Sequence, residues 1–140
     1  MRLKGLILLV LTVSLVSGVV LMGGCTSTQT QTIEDVSAQE AFTLIQDNQN
    51  NSDFIIIDVR TPQEFAEGHV EKANNLDFNS ETFRDDLNKL EKGKTYLIYC
   101  RSGNRSRNAL NIMRELNFKK IYHMSGGIIE WSKEGLPTVK

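Results

Sequence analysis

The chain has little of what usually reveals chemistry by counting. Its two cysteines, Cys25 and Cys100, allow one disulfide at most. One cysteine and two distant histidines, His69 and His123, lack the ligand spacing of a metal site. A cysteine–histidine protease has no local signature here, and no internal repeat is present. The formal charge is −1, without the basic excess of a nucleic-acid-binding protein.

What is present is an ordinary globular composition. The 140 residues, 40% hydrophobic and 24% charged, have room for one domain. Charge is unevenly placed. Lys92, Lys94, Arg101, Arg105, Arg107 and Arg114 follow one another with no acidic residue between them, whereas acids cluster at Glu34-Asp35 and from Glu81 to Asp86. Cys100 falls inside the basic segment. That placement suits a small anionic substrate or a stabilised thiolate; the plainer alternative is a solvated basic face.

The first 24 residues read as a targeting segment rather than as part of the fold. Arg2 and Lys4 precede an apolar run from Leu6 to Met22, and Gly23-Gly24 precede Cys25. Leu21-Met22-Gly23-Gly24-Cys25 resembles a bacterial lipoprotein signal-peptide box, with Met22 where leucine is commoner. The resemblance implies lipidation at Cys25. The run is also long enough to remain as an uncleaved anchor. Either way the positive end stays inside and the domain lies outside the cytoplasmic membrane, in the cell envelope. A lipidated Cys25 cannot pair with Cys100, which leaves a free thiol in an oxidising compartment. Residues 25–32 form a polar tether, and the folded domain is expected over 33–140.

Strand and helix patterns alternate along that domain. Strands are expected at Ile33 to Val36, Phe54 to Val59, Ala73 to Phe78, Thr95 to Tyr99 and Ile121 to Met124. Ser37 to Glu40 and Thr61 to Glu64 are capping boxes, the second with Pro62 at the first helical position. Helical spacing follows at Phe83, Leu87 and Leu90, from Ser106 to Leu116, and from Ile128 to Lys133. This order implies an α/β fold with a parallel sheet of about five strands and helices on both faces. Ligands of such sheets bind beyond the strand C-termini, where Cys100 falls.

The chemistry is expected at Cys100. A thiol becomes a nucleophile as thiolate, which positive charge and a helix N-terminus favour. Arg101, Arg105, Arg107 and the helix start supply those features. Gly103 permits a tight turn, while Ser102, Asn104 and Ser106 can hydrogen-bond around the rim. Asp58, Arg60 and Glu64 suggest an ion-pair network, with bracing of the strand-to-helix turn favoured over direct catalysis. His69 and His123 read as structural.

Four blocks carry a family resemblance: Asp58-Val59-Arg60-Thr61-Pro62-Gln63-Glu64-Phe65; Gly68-His69-Val70 with Ala73 and Asn75; Tyr99-Cys100-Arg101-Ser102-Gly103-Asn104-Arg105-Ser106; and Gly126-Gly127-Ile128-Ile129-Glu130-Trp131. In this order they resemble a single-domain rhodanese, a sulfurtransferase, over Ile33 to Pro137. Asn74-Asn75-Leu76 departs from the family's more apolar strand start. The resemblance implies a Cys100 persulfide, formed from an anionic donor such as thiosulfate and emptied by a thiol, protein or cyanide acceptor. It implies that Arg101 and Arg105 hold the donor, that loop amides stabilise the persulfide, and that no metal or organic cofactor is needed. Cysteine-dependent phosphatases and arsenate reductases are the alternative, but their phosphatase signature has five residues between cysteine and arginine. Here four separate Cys100 from Arg105. A non-catalytic binding module on the same fold is a third reading, against which the retained cysteine argues.

Overall fold

The computed structural model describes residues 30–140; the expected signal segment, Cys25 and most of the tether lie outside them. The elements alternate as β1 (Thr32–Val36), α1 (Ala38–Asp47), β2 (Phe54–Asp58), α2 (Pro62–Glu67), β3 (Ala73–Asn75), α3 (Phe83–Asn88), β4 (Thr95–Tyr99), α4 (Asn104–Glu115), β5 (Lys120–Met124) and α5 (Gly127–Lys133). The five strands form one sheet in the order β1-β5-β4-β2-β3. Every pairing is parallel.

Period-two alternation divides the core between the two faces of the sheet. Along β4, Tyr96, Ile98 and then Cys100 join Phe83, Leu87, Ala109, Leu110 and Met113 from α3 and α4. Leu97 and Tyr99 face the opposite way, onto Ala38, Ala41, Ile128 and Trp131 from α1 and α5. Leu97 and Ile98 are fully buried, each side chain contributing about 1.5–3 kcal/mol through burial. The unbroken apolar run of a central strand is therefore two alternating faces, both covered. Cys100 continues the alternation one step past the strand, which places its thiol on the α4 side.

Both capping boxes are formed, at Ser37 with Glu40 and at Thr61 with Glu64. Three boundaries differ from expectation. Strand β1 begins at Thr32, and the Gln31 side-chain amide donates to Phe118 O at 2.6 Å, so the end of the expected tether belongs to the fold. Regular strand β3 stops at Asn75, although Leu76 N–H still donates to Asp58 O at 2.9 Å and Phe78 N–H to Val59 O at 3.2 Å; the Asn75 amide adds bonds to Asp58 O at 3.0 Å and Arg60 O at 2.8 Å. Helix α4 starts at Asn104, so Asn104, Arg105 and Ser106 are its first turn rather than free loop.

Candidate active site

Strand β4 delivers Cys100 to the edge of the sheet, and the chain turns at once into α4. Gly103 caps that helix at φ +93° with no side-chain cap. Only glycine adopts this conformation cheaply, and a Cβ here would run into the backbone carbonyl of Ser125. The uncapped turn aims its N–H groups at sulfur. Gly103 N–H donates to Cys100 Sγ at 3.1 Å, and the Ser106 hydroxyl lies 3.4 Å from it. Cys100 is 1% exposed. Burial pushes the thiol up, but the Ser106 hydroxyl and the backbone amides of Ser106, Ser102 and Gly103 outweigh it and hold the thiol below its ordinary value.

The loop is seated from below by α5. Ile128 N–H donates to Cys100 O at 2.9 Å, and Ile129 N–H to Arg101 O at 3.1 Å. Gly127, at φ +62°, lies against those same carbonyls, where a Cβ has no room. This explains the Gly126-Gly127…Trp131 block: its first residues support the loop, while buried Trp131 fixes α5 by donating to Pro137 O at 2.9 Å.

The arginines are arranged less freely than their sequence suggests. Arg105 grips Glu64 with both ends of its guanidinium, at 2.7 and 2.8 Å. That guanidinium, with the Thr61 amide and against some desolvation, pulls the Glu64 carboxyl down to about 2. Arg107 pairs with Asp35 at 3.2 Å. Among the described residues, Arg101 alone of the three makes no side-chain ion pair, and it is exposed at the rim beside Ser102 and Asn104. Of the two arginines expected to hold a donor, Arg101 is free of an ion pair and Arg105 is engaged by Glu64. The lowered thiol rests chiefly on a hydroxyl and amides, with the Arg105 charge coupled to it more weakly.

Asp58 and Arg60 form a separate unit. Asp58 accepts from Arg60 N–H at 2.9 Å and from its guanidinium at 2.6 to 3.0 Å, and Arg60 also donates to Gly68 O at 2.7 Å. Both residues are buried, and the guanidinium lies 5.9 Å from the Tyr99 ring, on the sheet face away from the thiol. They brace the turn. Glu64 does not join them: it caps α2 and reaches across to the active-site helix. His69 stacks on Phe65 with ring centroids 3.6 Å apart, which makes it structural.

His123 is buried, as expected, but it is not isolated. Its Nδ1 lies 2.7 Å from Asp35 Oδ1 and its Nε2 lies 2.9 Å from Ser106 Oγ. Hydrogen bonding to His123 is the main reason the Asp35 carboxyl lies below its ordinary value. Asp35 was not singled out from sequence. The signal is the register of parallel strands that sets Asp35 beside His123, and no single sequence displays it. Among the described residues no group of three His, Cys, Asp or Glu side chains could hold a metal ion.

A five-stranded parallel α/β sheet carries a buried, amide-cradled cysteine just past its central strand, the candidate nucleophile. The family model for the rhodanese-like domain matches residues 37–134, and the chain belongs to that family. A sulfurtransferase of Allochromatium vinosum is 33% identical over 90 residues, which cover 64% of this chain and 82% of that protein. An uncharacterized Synechocystis protein is 43% identical over 86 residues, or 61% of this chain and 47% of its own length, so the match spans about half of that relative. The crystal structure of a rhodanese-related protein from Thermoplasma volcanium superposes with a TM-score of 0.62 at 27% identity, covering 76% of this chain and 97% of that one.

Proposed function

We propose that the domain is a sulfurtransferase that carries a sulfane sulfur on Cys100. The observation that carries this reading is the Gly103 N–H at 3.1 Å from Cys100 Sγ, in a helix turn whose amides have no competing side-chain cap. Thiolate Sγ attacks the outer sulfur of an anionic donor such as thiosulfate. The Sγ–S bond forms as the donor's S–S bond breaks, and its electron pair leaves on sulfite. The persulfide charge then lies among the amides of Ser102, Gly103 and Ser106, which need no reorganisation to stabilise it. A nucleophilic acceptor removes the outer sulfur and returns the thiolate. Arg101 is the guanidinium at hand for the incoming anion. A phosphatase reading needs an arginine free to hold a tetrahedral phosphate, and Arg105 is held by Glu64.

Incubation with thiosulfate should add the mass of one sulfur atom to the intact protein. Cyanide should remove it, and Cys100→Ala should never acquire it. A folded, reduced protein that gains no mass from thiosulfate or other sulfane donors would sink this reading.

We also propose that lipid on Cys25 holds the domain to a membrane. Thr32 and Thr95 both pair with Lys120 at one end of the sheet, while Cys100 follows the other end of β4. Five residues of strand separate these ends by about 16 Å. Six residues from Cys25 to Gln31 reach at most about 20 Å. An anchor there would attach the domain at the strand-start pole, the opposite end of β4 from Cys100. Cys25→Ser should release the protein to the soluble fraction; unchanged attachment and mass would favour an uncleaved anchor.

A further inference from the structure

The sulfur-transfer steps above leave one buried titratable side chain unused. His123 is fully buried and has a partner on each ring nitrogen. The Asp35 carboxylate is an acceptor only, so Nδ1 carries a hydrogen and donates it. Nε2 then has two states. In the neutral ring it accepts the Ser106 hydroxyl hydrogen. In the cation it donates to Ser106 Oγ. A hydroxyl has one hydrogen, and Ser106 Oγ also lies 3.1 Å from Gly103 O, so the state of the ring decides whether that hydrogen can go to Nε2 or must turn to sulfur or to Gly103 O. With neutral His123 the row reads thiol to Oγ and Oγ–H to Nε2. With charged His123 the two bonds of this row reverse: Nε2–H donates to Oγ, and Oγ–H is released to a thiolate with Gly103 O as the competing acceptor, while Nδ1–H still donates to Asp35.

We propose that His123, oriented by Asp35, is a positioning residue that takes up the Cys100 proton through Ser106 and pairs the resulting sulfur anion with an imidazolium. The S–H bond breaks as its proton joins Ser106 Oγ, and the proton of Ser106 joins Nε2. No electrons leave the row. The arrangement parallels nucleophile–base–orienter logic, with a hydroxyl inserted between nucleophile and base. The groups facing the ring are few. Strand β1 presents Asp35, with Arg107 of α4 behind it at 3.2 Å. Helix α4 presents Ser106, and Cys100 lies beyond it at the end of β4. Arg105 is turned away to Glu64. Among the described residues no other titratable base hydrogen-bonds to Sγ or to Ser106. The role as counter-ion to the persulfide rests on the sulfurtransferase reading; the control of thiol ionisation does not.

The test is the pH dependence of iodoacetamide alkylation at Cys100, followed on the full-length protein by peptide mass. In His123→Gln the midpoint should rise by about one pH unit, which slows alkylation about tenfold below it. Asp35→Asn, at a side chain 51% exposed, should shift it in the same direction by less. Adding His123→Gln to Ser106→Ala should produce no further shift, because the route has already been cut. Profiles of His123→Gln and Asp35→Asn that overlay the parent would overturn the proposal, and additive shifts in the double variant would overturn the route through Ser106. If His123→Gln does not fold, Asp35→Asn decides alone. Alkylation needs no sulfur donor, so the two readings separate. A shifted profile in a protein that never takes up sulfur keeps the relay and refutes the sulfurtransferase. An overlaid profile in an active protein does the reverse.

Discussion

Two strand-to-helix turns sit side by side at the same edge of this sheet, and they treat their helix N-termini in opposite ways. After β2, the turn into α2 is closed. Thr61 and Glu64 satisfy each other's backbone N–H groups, and Asp58 with Arg60 fills the space beneath. After β4, the turn into α4 is open. Glycine stands where a capping side chain would be, and the amides point at Cys100. A capping side chain is worth about 1 kcal/mol to a helix. The open turn forgoes that gain and leaves its donors for a sulfur anion. Under the proposed function, stability is concentrated in one turn and reactivity in the other, which makes the contrast testable by breaking each in turn.

Breaking the closed turn should have the largest effect. Arg60→Ala leaves the Asp58 carboxylate buried without its partner, which costs roughly 3–5 kcal/mol. Chemical denaturation should show that loss, with the protein remaining competent for sulfur uptake at temperatures where it is folded. A loss below about 1 kcal/mol would mean that the pair is not the brace described here.

Breaking the open turn should act mainly on function. Gly103→Ala must hold an L-residue at φ +93° and press its Cβ on the Ser125 carbonyl. Displacing one such donor is expected to slow sulfur loading by roughly 100-fold or more. The accompanying strain should cost about 1–3 kcal/mol. Loading at parental rate, followed by intact mass after thiosulfate addition, would show that the Gly103 amide does not carry the chemistry.

The same contrast explains how much could be read from sequence. Closed features announce themselves locally: capping boxes, Pro62 and apolar strands are patterns of adjacent residues, and each lies where the sequence predicts it to within a few residues. The open turn was also legible, as a glycine-bearing loop with a nucleophile at its start. Side-chain partners between elements were not. Whether Glu64 pairs with Arg60 or Arg105 depends on how α2 lies against α4. The pairing of Asp35 with His123 depends on strand register. Basic residues contiguous in sequence looked like a positive cradle, but two of the three arginines near Cys100 meet carboxylates from elsewhere in the chain. Strand β3 is shorter than its pattern predicts, yet Leu76 and Phe78 keep N–H bonds to Asp58 O and Val59 O, so the chain stays beside β2 to the end of the expected segment.

Glu64 is the residue that belongs to both turns, and it supplies the smallest and sharpest test. Its carboxylate caps α2 through the Thr61 amide at 3.0 Å and holds Arg105 of α4 at 2.7 Å. The folded state holds this carboxyl at about 2 against an ordinary 4.5, chiefly through Arg105. A group whose folded value is depressed stabilises the protein above its unfolded value and loses that contribution as pH falls through the folded one. The contribution should therefore be complete above about pH 4.5 and disappear toward about pH 2. With both side chains about a quarter exposed, it should amount to only about 1 kcal/mol after solvent screening. Glu64→Gln should remove that part of the acid slope and reduce neutral-pH stability by the same small amount. It also frees Arg105 beside the thiol. If the turns are independent, sulfur loading in Glu64→Gln stays within a few-fold of the parent. A large loss would mean that the closed turn positions the open one through this single ion pair, and that stability and reactivity are less separated here than the two caps imply.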